Sequence, residues 1–306
     1  MRRSSLNWEQ TELEQAQLKK SQKKCCIVGK FETFHRGHRK LIERAKELCS
    51  EVTIISVKKG RFTVFSEEER EEIARDLGVE LLNLPFEAVK ELSPYKFFRF
   101  LKSNGCQRLV VGEDWRFGKD RKGDVKTAKE LGEKLGIEVI TVQAEKEEGE
   151  KIATSRIKEL LVKGKVEKAN KLLGFNYFCT GTVTRGRQLG RRLGFPTLNV
   201  LTPKEILLPN GVYEVKLTVD GKSFKGIANL GVNPTISGDA VKRLEVHVPD
   251  RELPELYGRK VKVEFLKFLR PEKRFNSVEE LKKQIKFDVE NLKRYWRDDF
   301  GRATEV

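Results

Sequence analysis

The chain has 306 residues, with 62 Lys and Arg against 46 Asp and Glu, for a net charge of +16. That length allows sizeable cores and favours two domains. No window reaches the apolar length of a membrane span, and the polar start MRRSSLNWEQTELEQAQLKKSQKK lacks the apolar region of a secretory signal, so no membrane association is expected. The basic excess is local: residues 51–150 carry 18 basic and 21 acidic side chains, whereas 151–200 carry 11 and 2. A local excess of that kind suits the phosphates of nucleotides before it suits a polynucleotide, and nucleic acid is not the expected partner. Five cysteines (25, 26, 49, 106 and 179) form no C-x-x-C pair and no disulfide-like spacing. They read as free thiols acting as small hydrophobes in a reduced, cytoplasmic protein.

Residues 1–22 read as a mobile or loosely helical extension. Cys25–Val28 is an apolar run, followed by a glycine-punctuated loop to Gly37. Leu41, Ile42, Ala45, Leu48 and Cys49 then lie on one helical face, and Val52–Val57 is a second apolar run. Strand, loop, amphipathic helix and strand make a βαβ unit with parallel strands. Ser66–Glu69 predicts a capping box opening a helix to Leu77, and Leu81–Leu84 a strand. Ser93–Pro94 predicts an N-cap and first-turn proline for a helix through Leu101. Leu109–Val111 is a strand, Val125–Leu135 a helix and Ile137–Val142 a strand. Alternation of this kind means a doubly wound parallel sheet.

Helices are expected from Thr154 to Val162 and from Val166 to Leu173. After Gly174 the period changes to two, over Tyr213–Val219, Leu244–Val248 and Val261–Leu266, with turns at Asp220-Gly221 and Asn233-Pro234. That pattern predicts an antiparallel sandwich or barrel, closed by a helix over Ser277–Tyr295. The expected division is an extension at 1–22, an α/β domain at 23–163, a linker at 164–177, a β domain at 178–298 and a tail at 299–306.

Two positions invite chemistry in the first domain. His35 and His38 sit three residues apart where the helix of the βαβ unit begins, with Gly37 between them. The helix N-terminus attracts anions, and imidazole donors there would meet phosphate oxygens. Gly37 lets a triphosphate approach the backbone. Nucleotidyl transfer suits such a site, because the acceptor phosphate is already a nucleophile and catalysis reduces to positioning and charge stabilisation. A metal held by the two histidines, or an incidental surface pair, are the other readings.

These residues carry a resemblance. The run from Gly29 to His38 (GKFETFHRGH) resembles the G-x-F-D-G-x-H-x-G-H signature of the adenylyltransferase half of bacterial bifunctional riboflavin kinase/FAD synthetases. Gly112–Gly118 (GEDWRFG) resembles that family's G-x-D/N-F-R-F-G segment, and Thr154–Lys158 its S/T-S-x-x-R helix start. By resemblance, Gly29, Phe31, His35, Gly37, His38, Asp114, Ser155 and Lys158 would bind ATP, with His35 and His38 catalytic. Glu32-Thr33 replaces the family's Asp-Gly, Lys158 its arginine, and Val57–Phe65 its flavin-contacting T-F-x-P-H-P stretch.

In the second domain, Gly181–Asn199 is rich in glycine and arginine. Thr197 and Asn199 alternate onto one strand face and offer two neutral oxygens suited to sharing Mg²⁺ with nucleotide phosphates. Glu245 and His247 share another face. By themselves they read as a solvent-facing strand glutamate and a partly buried barrel histidine. Gly190–Asn199 resembles the riboflavin kinase signature G-R-x-L-G-F-P-T-A-N, with Leu198 for Ala, and further family segments follow in order to residue 296. The resemblance implies a six-stranded barrel with a C-terminal helix. It makes Glu245 the base for the ribityl 5′-hydroxyl, Thr197 and Asn199 the Mg²⁺ ligands, and Gly186, Arg191, Gly194, Thr197 and Asn199 the ATP-binding set. Glu245 and Arg270 would lie by the flavin. The expected substrates are riboflavin, FMN and ATP, with Mg²⁺. A riboflavin kinase carrying a degenerate adenylyltransferase domain is the alternative, and a basic nucleic-acid-binding protein a more distant one.

Overall fold

A computed structural model of the chain describes residues 23–301, apart from 59, 61–62, 187–189, 191–192, 235–239, 250 and 252, and describes only the backbone of 233–234, 240–241 and 295–301. The extension at 1–22, Arg191 and most of the tail at 299–306 lie outside these residues. The chain divides into two compact units. One takes in Ser66–Thr154 and the described residues before Thr63; the other takes in Thr63–Phe65 and the described residues from Ser155 onwards.

The first unit is a doubly wound sheet. Its strands are β1 (Lys24–Gly29), β2 (Glu51–Lys58), β3 (Glu80–Pro85), β4 (Arg108–Gly112) and β5 (Glu138–Val142), in spatial order β3-β2-β1-β4-β5. All four pairings are parallel. The connecting helices are α1 (Arg36–Leu48), α2 (Glu67–Asp76), the single turn α3 (Phe86–Val89), α4 (Pro94–Ser103) and α5 (Val125–Leu135). Their ends follow local rules. Ser66 and Glu69 form the expected capping box on α2, and Ser93 caps α4 with Pro94 in its first turn. Asp124 caps α5, and Gly136 closes it in the left-handed region that glycine enters without steric cost. A two-strand hairpin, β6 (Lys146–Glu147) with β7 (Glu150–Lys151), follows β5.

The strand order reverses between β1 and β4, and in open α/β sheets ligands collect beyond the carboxyl ends of strands at that switch. The core beneath it includes Cys26, Val28, Phe98, Leu101, Leu109 and Val111.

One expectation fails here. Cys25 and Cys49 are not free but joined as a disulfide, with Cα atoms 5.7 Å apart and a separation of 24 positions in sequence. The βαβ crossover brings the start of β1 to the C-cap of α1, a closeness that spacing alone does not reveal. Cys26, Cys106 and Cys179 are buried and form no disulfide.

The second unit begins with α6 (Thr154–Val162), most of which it contains, and α7 (Val166–Leu173). A closed antiparallel barrel follows, of β8 (Phe178–Thr184), β9 (Thr197–Leu201), β10 (Gly211–Val219), β11 (Lys222–Pro234), β12 (Ala240–His247) and β13 (Lys260–Pro271), in the order β10-β11-β12-β9-β8-β13. The last helix is α8 (Val278–Gly301). The division between units falls at Thr154, ahead of the expected 164–177. Polar bonds tie α7 to the barrel: Asn170 donates to the Phe265 carbonyl at 2.9 Å and accepts from the Tyr177 N–H at 2.7 Å. Asn233-Pro234 is not a turn but the end of β11, paired with Val241 and Ala240.

Thr63–Phe65 belongs to this second unit. Val64 and Phe65 are fully buried, with the Phe65 ring 5.1 Å from that of Phe178 and 5.7 Å from that of Tyr177. Lys204 donates to the Val64 carbonyl at 2.5 Å and lies over the Phe65 ring.

Candidate active sites

In the first unit a cavity of about 530 Å³ opens at the β1/β4 switch, lined among others by Gly29, Phe31, His35, Gly37, His38 and Asp114. Six of the eight residues expected to bind ATP there are thus brought together. Ser155 and Lys158 do not line the cavity; Thr154, the residue before them, does.

His35 is the N-cap of α1, its Nδ1 accepting the His38 N–H at 3.2 Å. An accepting Nδ1 leaves a neutral ring with its proton on Nε2, a donor. The His38 ring stacks on that of His35 at 3.8 Å and on that of Phe31 at 4.4 Å. Burial pushes His35 down to about 4, and burial followed by the charges of His35 and Lys151 drives His38 well below the ordinary histidine value. Both rings are therefore neutral at pH 7 in the free protein. The buried His38 Nδ1 has no hydrogen-bond partner, so it keeps capacity for a ligand. A β-carbon at Gly37 would press on the His35 ring, 3.1 Å from Cε1.

The loop between Gly29 and His35 is strained. Phe31 and Phe34 adopt φ of 42° and 47°, a region costly for side chains of that size. Arg70 of α2, fully buried, holds the loop: its Nε donates to the Phe31 carbonyl at 3.0 Å, while Nη1 and Nη2 donate to Asn83 Oδ1 at 3.0 Å and Ser56 Oγ at 2.6 Å. Thr33, standing where glycine was expected, needs no positive φ, and its hydroxyl lies 3.0 Å from that of Thr154.

Opposite the histidines, Trp115 and Phe117 stack at 4.4 Å, and Lys151 pairs with Asp114, holding its carboxyl below the usual range. Arg36 binds Glu145 at 2.8 Å and Glu147 at 2.6 Å, fixing the start of α1 against the β6 hairpin. Trp115 and Phe117 were present in the Gly112–Gly118 motif; Arg36 and Arg70 carried no sequence signal. Val64 and Phe65, in the stretch replacing the flavin-contacting segment, are committed to the second unit's core.

The second unit has its own cavity of about 390 Å³, lined among others by Gly186, Gly194, Pro196, Thr197, Asn199 and Tyr257. Asn199 of β9 pairs across strands with Glu245 of β12, and Thr197 with His247. His247 is buried, its Nδ1 2.8 Å from the Pro196 carbonyl oxygen, which makes it a structural support for the Pro196–Asn199 segment. A β-carbon at Gly186 would overlap the Asn199 carboxamide, and one at Gly190 would come 3.1 Å from Thr197 Oγ1. The two glycines therefore keep room beside the two expected Mg²⁺ ligands. Two neutral oxygens and a carboxylate across the strand fit a hard cation that completes its shell from phosphates and water. Among the described residues, no group of three or more His, Cys, Asp or Glu is arranged to hold a metal unaided.

Neither Glu245 nor Arg270, the two residues expected beside the flavin, lines either cavity. Arg270 donates to Asp288 of α8, from Nε at 3.0 Å and Nη2 at 2.7 Å. A two-point guanidinium–carboxylate pair fixes α8 on the barrel. Arg243 was not anticipated; it donates to Asn199 Oδ1 and pairs with Glu245.

The sequence matches two family models, FAD synthetase over residues 17–156 and riboflavin kinase over 173–296. It is 34% identical over 279 residues to a bifunctional riboflavin kinase/FMN adenylyltransferase of Pseudomonas fluorescens, covering 86% of this chain and 89% of the relative. A protein of the same description from Bacillus subtilis is 33% identical over 296 residues, covering 90% and 93%. Among solved structures, a protein described as a macrolide-efflux protein from Streptococcus pneumoniae superposes with a TM-score of 0.78 at 29% identity, over 88% of this chain and 94% of that one.

Proposed function

The chain belongs to the bifunctional riboflavin kinase/FMN adenylyltransferase family, and from that premise we propose which of its residues carry each reaction. The barrel transfers the γ-phosphoryl group of ATP to riboflavin, giving FMN and ADP. The parallel-sheet domain transfers the adenylyl group of ATP to FMN, giving FAD and pyrophosphate. Both family models match, so a kinase with a degenerate second domain is not favoured. ATP and flavins as substrates support a cytoplasmic place of action.

In the adenylyl transfer, a phosphate oxygen of FMN attacks the α-phosphorus of ATP as the bond to the β-phosphate oxygen breaks. Charge collects on the leaving pyrophosphate. We assign the Nε2–H of His35 and the ring of His38, with the first N–H groups of α1, to the β- and γ-phosphates. A neutral imidazole keeps one N–H donor, so each ring can meet a phosphate oxygen without a buried charge of its own. Gly29, Phe31, Gly37 and Asp114 shape the ATP cradle.

In the kinase reaction, Glu245 accepts the proton of the ribityl 5′-hydroxyl as its oxygen bonds to the γ-phosphorus and ADP departs. Thr197 and Asn199 would hold Mg²⁺, which neutralises charge on the ATP phosphates. Gly186, Gly194 and Arg191 would receive the phosphates. The observation that supports this reading is the cross-strand pairing of Asn199 with Glu245, the residues proposed here as metal ligand and base.

Two variants separate the activities. Glu245→Gln should abolish FMN formation from riboflavin yet leave conversion of supplied FMN to FAD; equal loss of both contradicts the assignment. His38→Ala should do the reverse, and unchanged FAD synthesis would remove that histidine from the mechanism.

A further inference from the structure

Arg243 lies on β12 two residues before Glu245, so strand alternation puts the two side chains on one face. Its Nε and Nη2 donate to Asn199 Oδ1 at 2.8 and 2.6 Å, and the same Nη2 lies 2.5 Å from Glu245 Oε1. Both side chains are about three-quarters buried, with 26% and 25% of their surface exposed. Asn199 is confined on its other side by Gly186, where even a β-carbon would overlap its carboxamide. One fixed positive charge thus ties together the oxygen assigned to Mg²⁺ and the carboxylate assigned to the hydroxyl proton. A guanidinium and a divalent cation seek the same oxygens and repel each other at that distance.

We propose that Arg243 is an internal cation holding the Mg²⁺ position of the kinase site in the nucleotide-free protein, keeping Asn199 and Glu245 oriented until Mg²⁺ and nucleotide displace it. The proposal rests on the assignment of Asn199 to Mg²⁺. Arg243 is a positioning residue, acting through Asn199 and Glu245, and its charge sets how much Mg²⁺ the site requires. A neutral side chain removes the competition. Lysine keeps the charge but loses the planar fork, and should fall between.

The test measures ADP binding to the full chain by calorimetry at increasing Mg²⁺, in a His38→Ala background so that the second site dominates the heat. Arg243→Met should lower the half-saturating Mg²⁺ concentration about tenfold, the factor that about 1.4 kcal/mol represents. Arg243→Lys should lower it less, and Asn199→Ala should raise it. A lower thermal midpoint in Arg243→Met with an unchanged Mg²⁺ requirement means a merely structural residue and overturns the proposal. A raised requirement in Asn199→Ala with none lowered in Arg243→Met overturns it alone; an unchanged requirement in Asn199→Ala overturns the metal assignment as well. Should Arg243→Met fail to fold, the Arg243 Nε–H resonance of the wild type decides: it should shift when Mg²⁺ and ADP are added together, and a fixed resonance overturns the proposal.

Discussion

The rings of His35 and His38 lie 3.8 Å apart and within 11° of parallel, beneath a first turn of α1 that His35 itself caps. Two imidazolium charges cannot share that spacing in a buried site, and both rings stay neutral at the cost of acid sensitivity. In the folded chain both bind protons less readily than an ordinary histidine, so the unfolded chain takes up more protons as pH falls. The contribution of His35 to stability is complete above pH 6.5 and is lost as pH falls toward about 4. A drop of that size corresponds to of order 3 kcal/mol. Asparagine can cap α1 without titrating. Urea denaturation from pH 7 to 4 should show His35→Asn losing less stability than the wild type, and parallel losses would refute this account.

Arg70 reaches the same loop from beneath. Lysine at that position keeps one charge but cannot serve the Phe31 carbonyl, Ser56 and Asn83 at once, and buried groups left unpaired cost about 1–3 kcal/mol each. Arg70→Lys should cut FAD synthesis about tenfold or more while FMN formation continues. Equal loss of both activities in steady-state assays would mean that Arg70 does not act through the Phe31 loop.

Gly186 offers a prediction of opposite polarity. A methyl group there must displace the Asn199 carboxamide, and with it the oxygen assigned to the metal. Gly186→Ala should lower riboflavin phosphorylation by about a hundredfold, the scale of small misplacements at a reacting centre. Conversion of supplied FMN to FAD should be untouched. Wild-type FMN formation by this variant would place Asn199 outside the reaction.

The disulfide between Cys25 and Cys49 is directly countable. Alkylation of the denatured, unreduced chain should label the three free cysteines, and all five after reduction. Closing a loop of this size is worth roughly 3 kcal/mol through the unfolded chain. Cys49→Ser should therefore lower the urea midpoint. Five labels without reduction would show that the pair is open.

Much of this architecture could be read before the fold was known, where one local cause sufficed. Ser66 and Glu69 cap α2 as their spacing predicts, and the alternation from Tyr213 to Val219 follows the barrel wall. Other features depend on contacts that sequence does not order. β11 runs 13 residues through Gly226 and Gly231, which leave room for neighbours: a β-carbon at Gly226 would come 2.7 Å from the His247 carbonyl oxygen. Cys25 meets Cys49 only once α1 has crossed over. The candidate residues split the same way. His35, His38, Thr197 and Asn199 belong to compact motifs, whereas Arg70 and Arg243 act through partners on other elements. Arg243 did leave a trace, an Arg-x-Glu pair on one strand face, but nothing local marked Asn199 as its acceptor.

Val64 and Phe65 complete the aromatic cluster of Phe175, Tyr177 and Phe178 although about ninety positions separate them from the rest of that unit. The polypeptide therefore visits the kinase core once, early, and returns for good only after Thr154. A protease cut or an expressed fragment beginning at Ser155 would carry every barrel strand and still lack a piece of its own interior, leaving Lys204 without its Val64 acceptor. On a ribosome the first piece of the kinase core emerges before the parallel-sheet unit is complete. The early segment must wait, its phenylalanine uncovered, until the barrel has been made.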